Sequence, residues 1–416
     1  MQANKKARVI DAAFFAVILI CYFLVTLLLF YRQSYNYIEY HGRYNSDMLP
    51  YIDEILGLNT EYDFPYPILF LTGRFFHLFL SPVMAMALAT AVLNVLSAVV
   101  IKYYLDRLCI GAEGKWQKMV GPINTIATFS LLFASMLYPV SWLGKHALYS
   151  DAANPRYLGV FTLNPYHNAT FLAARPFTIP AMLLFIRLTQ SYRTDKKYLT
   201  RDYFLFSLFL LLSTLAKPSF TLIFVMMAGL YMLAMFFRSK CKDIKPFFGL
   251  GLWFIPTFIV LLYQFGGVFG SKGIPAEAGE KGIAFGFATA WSLCCNNIPR
   301  AICLAIAFPF VVLVCNLFCK SFPRLLRFAW GLYGVGLFTL LCLYEKGFRM
   351  KHLNFSWGYM HGLFFLFLLS LIVLLQNTFR KKQPLLMLGI QWAAFGAHLL
   401  FGLDYFLLLL RGNPFN

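Results

Sequence analysis

Apolar runs of about 18 residues or more recur along this chain, and nothing else in it constrains the fold as strongly. About 20 helical residues cross a hydrocarbon layer ~30 Å thick, so each run is long enough to span a bilayer. Within lipid every backbone polar group has to be satisfied by the chain itself, which makes these runs helices. With 60% of its 416 residues hydrophobic, the chain has too little polar surface to enclose them in a soluble core. A transmembrane barrel would show short alternating strands instead. The first run, residues 9–31, is too long for a signal-peptide core and lacks an Ala-x-Ala-like cleavage site. It reads as a retained anchor.

The formal charge of +19 points to nucleic acid only until its distribution is considered. Lys and Arg fall in short clusters between the runs: Lys5, Lys6 and Arg8; Lys102 to Lys118; Arg193 to Arg201; Arg238 to Lys245; Lys320 to Arg327; Arg380 to Lys382. That is the positive-inside pattern, so the charge is a topology signal and no nucleic-acid partner is expected. Placing every cluster in the cytoplasm gives about eleven spans: 9–31, 82–101, 119–138, 176–188, 203–215, 220–237, 247–265, 301–319, 328–343, 357–376 and 385–403. The N-terminus is then inside. Outer loops cover about 32–80, 139–175, 266–300 and 345–356, and a tail, 404–416, lies outside. The expected fold is an all-α polytopic membrane protein, one transmembrane domain over 1–416. Nine cysteines form no C-x-x-C pair, and neither a disulfide nor a metal is assigned to them, the adjacent Cys294 and Cys295 of the third outer loop included.

The first outer loop contains "YNSDMLPYIDEILGLNTEYDFPYP", which holds Asp47, Asp53, Glu54, Glu61 and Asp63, five of only seventeen acids in the chain. Residues 51–56 suit a short helix, and "ILFLTGRFFHLFL" (68–80) is apolar but too short to span, so it is expected at the interface. A polytopic chain with a cytoplasmic N-terminus, a long first outer loop carrying an acid soon after span one, short interfacial helices and a following "FPYP" (64–67) resembles the GT-C superfamily of glycosyltransferases. The resemblance covers the architecture of most of the chain and rests on a slight residue motif. It implies a catalytic base at Asp47, with Asp53 second, and a sugar donor carried on polyprenyl phosphate or diphosphate. The acceptor would be a lipid or glycan, and the setting a bacterial plasma membrane with an extracytoplasmic active site. The chemistry has its own logic. Inverting transfer needs a carboxylate to accept the acceptor's hydroxyl proton, and cations to stabilise the departing phosphate. A divalent metal is compatible with this chemistry, and the sequence fixes no cofactor. For the acids the plainer alternatives are a solvated loop and, for Asp47, a helix N-cap.

Further candidates for substrate binding sit in the other outer segments. In the second loop His167 and Arg175 are placed to meet phosphate or sugar hydroxyls, and Asn168-Ala169-Thr170 matches a glycosylation acceptor. In "LAKPSF" Lys217 occupies a turn between two apolar runs, where an idle charge is costly. It reads either as a donor-phosphate ligand or as a snorkelling cation at a helix C-terminus. The fourth loop is basic against the positive-inside trend, and Arg349, Lys351 and His352 are candidates for an anionic carrier head. His361 follows inside span ten. No P-loop, G-x-G-x-x-G, H-E-x-x-H or G-x-S-x-G occurs. Two other functions compete. A transporter or flippase of lipid-linked saccharides predicts ionisable residues deep in the spans and symmetry between halves. A non-catalytic assembly protein would tolerate loss of Asp47.

Overall fold

The computed structural model describes residues 2–35, 43–44, 46–58, 64–109, 116–138, 161–191, 200–269, 282–293, 295 and 297–412. The expectations for Glu61, Asp63 and Cys294, for 139–160 of the second loop and for 270–281 of the third lie outside them. Each long apolar run is a helix: α1 (Gln2–Ser34), α4 (Pro82–Leu108), α5 (Trp116–Phe133), α6 (Ala169–Ser191), α7 (Arg201–Ala216) and α8 (Ser219–Arg238). Then follow α9 (Ile244–Gly251) and α10 (Ile255–Phe269), joined by a 3-10 turn, and α11 (Ile298–Phe318), α12 (Arg324–Cys342), α13 (Asn354–Phe379) and α14 (Leu385–Leu410). Short α2 (Met48–Leu56) and α3 (Ile68–His77) fall in the first loop. Among the described residues nine helical stretches are long and apolar enough to cross a membrane. The only sheet among them pairs β1 (Ile283–Phe285) antiparallel with β2 (Leu343–Glu345), Ile283 opposite Glu345.

The bundle is built around α13 and α6, which are predominantly apolar and buried almost throughout. A helix without a polar face has to be covered on every side. Gly336 of α12 and Gly362 of α13 let those two backbones meet: a Cβ on either would stand 3.1 Å from a backbone atom of the other helix. Small residues at helix crossings do this in membranes, where dispersion rather than the hydrophobic effect drives association. Outer helices keep large apolar side chains exposed, among them Val17 and Leu24 of α1 and Leu262 of α10, as a lipid-facing belt requires.

Polar contacts tie each end of the bundle together. At one end Lys102 pairs with Asp11 (2.9 Å) and Asp106 (2.5 Å), Asn124 donates to Asp106 (2.9 Å), and Arg187 pairs with Asp202 (3.1 Å). This end also carries Arg238, Lys242, Arg324 and Arg380 and is called the basic end below. At the other, Arg32 donates to the Leu410 carbonyl (2.8 Å), the Asp47 amide to the His167 carbonyl (3.2 Å) and Gln264 to the carbonyls of Thr214 (2.9 Å) and Pro65 (3.0 Å).

Two expected boundaries move. Span four does not start at Pro176. Its helix begins at Ala169 and holds Pro176 and Pro180 inside, because neighbouring helices in a bundle can compensate the backbone groups that proline leaves unpaired. The tail does not begin at Asp404 either. Helix α14 runs to Leu410, and Asp404 stays within it by accepting a hydrogen bond from the Tyr138 hydroxyl (3.1 Å).

Candidate functional site

The site grows from the start of α6. Asn168 caps that helix: its Oδ1 accepts from the amide of Phe171 (2.8 Å), which satisfies one of the donors every helix leaves open at its first turn. The same Oδ1 also receives the Thr170 hydroxyl (2.9 Å) and the Lys217 ammonium (2.9 Å). With the oxygen so engaged, the amide nitrogen must face the other way. It donates to Asp47 Oδ2 (2.5 Å) and to the Tyr51 hydroxyl (3.2 Å). Asn168 is buried, so the glycosylation match is overturned: an enclosed side chain committed to helix capping is no acceptor.

Asp47 occupies the N-cap position of α2, yet its side chain makes no capping bond. The carboxylate turns to Asn168 and remains half-buried at the bundle end. The phase of α2 separates the two candidate acids. Met48, Tyr51, Ile52 and Ile55 form its buried face, and this puts Asp53 outward, exposed and away from the Asn168 network. Glu54 is held by Arg74 (3.4 Å).

Lys217 forms the C-cap of α7 in extended backbone, followed by Pro218, which opens the next helix. Its side chain does not snorkel outward. It is buried, donates to Asn168 and to Thr170 Oγ1 (2.8 Å), and sits 4.2 Å from the centroid of the Trp357 ring. Among the described residues it makes no ion pair. Burial disfavours its charged form and brings its pKa down from 10.5 to about 7, with Asp47 opposing the fall. His167, just before the cap, packs its ring 5.6 Å from Trp357. Burial lowers its pKa to about 4, Asp47 opposing and Lys217 reinforcing. His167 is therefore neutral at pH 7, suited to hydroxyl groups rather than to charge.

Behind this layer the structure departs from expectation. Arg175 is not in a loop. It is the seventh residue of α6, fully buried. Its Nη2 donates to the Leu163 carbonyl (2.8 Å), and its guanidinium lies over Phe171 (5.2 Å) and Phe364 (4.8 Å), while Nε and Nη1 have no hydrogen-bond partner. His361, inside α13, stacks on the same Phe171 ring (4.1 Å), and neither of its ring nitrogens is bonded. Ionisable residues therefore do lie deep among the spans.

The basic fourth loop is arranged differently. Arg349 is turned to Glu345, 4.0 Å away, and Glu345 also accepts from Asn354 (2.6 Å). Burial raises the Glu345 carboxyl pKa, with Asn354 and Arg349 opposing. Lys351 and His352 are exposed. The structure thus brings Asp47, His167 and Lys217 together, sets Arg175 one layer deeper, and leaves Asp53 outside that network. Sequence reasoning missed Asn168, Thr170, Tyr51 and Trp357 as its connecting residues. Only Asn168 had a readable signal, an Asn three residues ahead of Phe171 where a helix could start. Among the described residues no three His, Cys, Asp or Glu side chains group closely enough to hold a metal ion.

These features define the chain as an all-α polytopic membrane protein with a partly buried carboxylate–amide–ammonium network at one end of its bundle. No protein-family model matches it, and neither a curated protein nor a solved structure resembles it.

Proposed function

We propose that this chain is a GT-C-like membrane glycosyltransferase. In this reading it crosses the membrane about eleven times and moves a sugar from a polyprenyl-phosphate carrier to a lipid or glycan acceptor at the extracytoplasmic face. The observation that carries the reading is the Asp47–Asn168–Lys217 relay. It holds a half-buried carboxylate at the bundle end, one amide away from a buried ammonium. In an inverting step, Asp47 Oδ1 takes the acceptor hydroxyl proton as that oxygen bonds to the sugar's anomeric carbon. The bond from that carbon to the phosphate oxygen breaks, its electron pair leaves with the phosphate, and Lys217 in its ammonium form stabilises the charge. Neutral His167 orients hydroxyl groups. Lys351 and His352 are proposed to meet the carrier head, with Arg349 held back by Glu345. The gathering of arginines and lysines at the opposite end supports a cytoplasmic placing for that end and an outer one for Asp47.

A second reading, a transporter of lipid-linked saccharides, is favoured by one observation: Arg175 and His361 are buried inside helices, where ionisable groups commonly mark a pathway. Purified protein in liposomes separates the two. Given a lipid-phosphate sugar and an acceptor on one side, a transferase yields a new glycosidic product without moving donor across the bilayer. Donor translocation without product would reject the transferase.

A further inference from the structure

A half-open cavity of about 280 Å³ lies between α8 and α12 towards the basic end, the end of the bundle opposite Asp47. Met227 and Leu230 from α8, with Phe328, Gly331 and Val335 from α12, make its apolar floor. Arg324, Arg327 and Tyr231 complete the lining. Positions 324, 327, 328, 331 and 335 follow a helical repeat, so both arginines stand on the face of α12 that carries the floor. The floor from Arg327 to Val335 runs about 12 Å along the helix, at ~1.5 Å per residue.

The arginines are only partly engaged. Arg324 Nη2 donates to Thr189 Oγ1 (2.7 Å) and the Tyr231 hydroxyl (3.1 Å), while its buried Nε has no partner. Arg327 is exposed and makes no ion pair among the described residues. No acidic residue lines the cavity. They stand in the first turn of α12, whose N-cap Pro323 offers no side-chain bond, so the open amides of that turn add to the positive field.

We infer that this groove holds one anionic phospholipid of the bilayer, with its headgroup phosphate between Arg324 and Arg327 and one acyl chain along Met227, Gly331 and Val335. Two cations with no acid in the lining suit an anion, and an apolar floor continuous with them suits an anion that carries a tail. Basic pockets between helices on the cytoplasmic side are where anionic headgroups are found. Its place towards the end of the bundle opposite Asp47 makes it a lipid site rather than a donor site, and it stands whether or not the transferase reading does.

The test is native mass spectrometry of the delipidated full chain in neutral detergent, titrated with phosphatidylglycerol, phosphatidylcholine or a polyprenyl phosphate. The expected result is one saturable phosphatidylglycerol, bound in preference to the other two. Arg327→Gln should weaken it about fivefold, the effect of a single basic residue at a charged headgroup. Gly331→Leu should abolish it by filling the floor: the nearest atom to a Cβ there is Met227 Cγ at 3.6 Å, so a larger side chain enters the groove. Should that variant fail to fold, Arg327→Gln decides alone, since Arg327 is exposed. Equal binding of phosphatidylcholine, tighter binding of the polyprenyl phosphate, or unchanged phosphatidylglycerol binding by Arg327→Gln overturns the inference.

Discussion

Replacing Lys217 with Met should make the protein more stable at pH 7 while removing the proposed phosphate ligand. The ammonium is buried without an ion pair among the described residues, and its pKa falls from 10.5 to about 7. A gap of that width corresponds to roughly 5 kcal/mol in favour of the neutral form. At pH 7 most of that cost is borne by folding, because the unfolded chain is protonated and the folded one is half so. Met is one atom shorter than the lysine side chain, equally unbranched, and carries no charge. It gives up the bonds to Asn168 Oδ1 and Thr170 Oγ1, each worth about 1 kcal/mol in a neutral pair. Those two oxygens keep partners, because Thr170 still donates to Asn168 and Phe171 still donates its amide. The net expectation is a gain of about 2–3 kcal/mol, read as a rise of a few degrees in thermal midpoint in detergent. The pH dependence follows from the sign. Between about 7 and 10.5 the unfolded state binds the extra proton, so raising pH through that window stabilises wild type. The advantage of Lys217→Met should therefore shrink steadily towards pH 10.5. A variant less stable than wild type at pH 7, or an advantage independent of pH, would refute the account of this lysine.

Three further outcomes are expected. Single cysteines at Lys351 and Lys242, both exposed, should label from opposite sides of a sealed membrane, Lys351 from outside; external labelling at 242 would overturn the proposed orientation. Gly402→Ala should prevent stable folding, because its Cβ would collide with the Phe133 carbonyl oxygen; expression and a normal melting curve for that variant would contradict the packing of α14 on the end of α5. Arg74→Gln, which removes exposed contacts to the Glu54 carboxylate (3.4 Å) and carbonyl (2.9 Å), should change stability by less than about 1 kcal/mol, measured by the same thermal assay.

What the sequence made legible was set by periodicity and length. Each long apolar run became a helix, and α2 and α3 formed in the first loop, because these signals are local. The misplacements came from single residues read as punctuation. Pro176 reads as the opening of a helix that Asn168 in fact caps eight residues earlier, and that reading puts Arg175 in a loop instead of among Phe171 and Phe364. Asp404 reads as the end of one, although a Tyr138 hydroxyl from another segment supports it within the helix. Lys217 was ambiguous for a similar reason. Whether a lysine beside a proline turns to water or inward depends on residues 47 and 49 positions away, Thr170 and Asn168. The choice between Asp47 and Asp53 was readable and went unread: apolar residues at 48, 51, 52 and 55 fix the face of α2 and turn Asp53 outward.

The central claim is that the Asp47 carboxylate is the base of a sugar transfer. Its most direct test is Asp47→Asn, measured for donor affinity and for turnover in the same purified preparation. Asn keeps the size of the side chain and removes its basicity. The account predicts donor affinity close to wild type and turnover lower by ~10²–10⁴-fold, with Asp53→Asn nearly unaffected. Turnover near wild type in Asp47→Asn, or its collapse in Asp53→Asn instead, would contradict it.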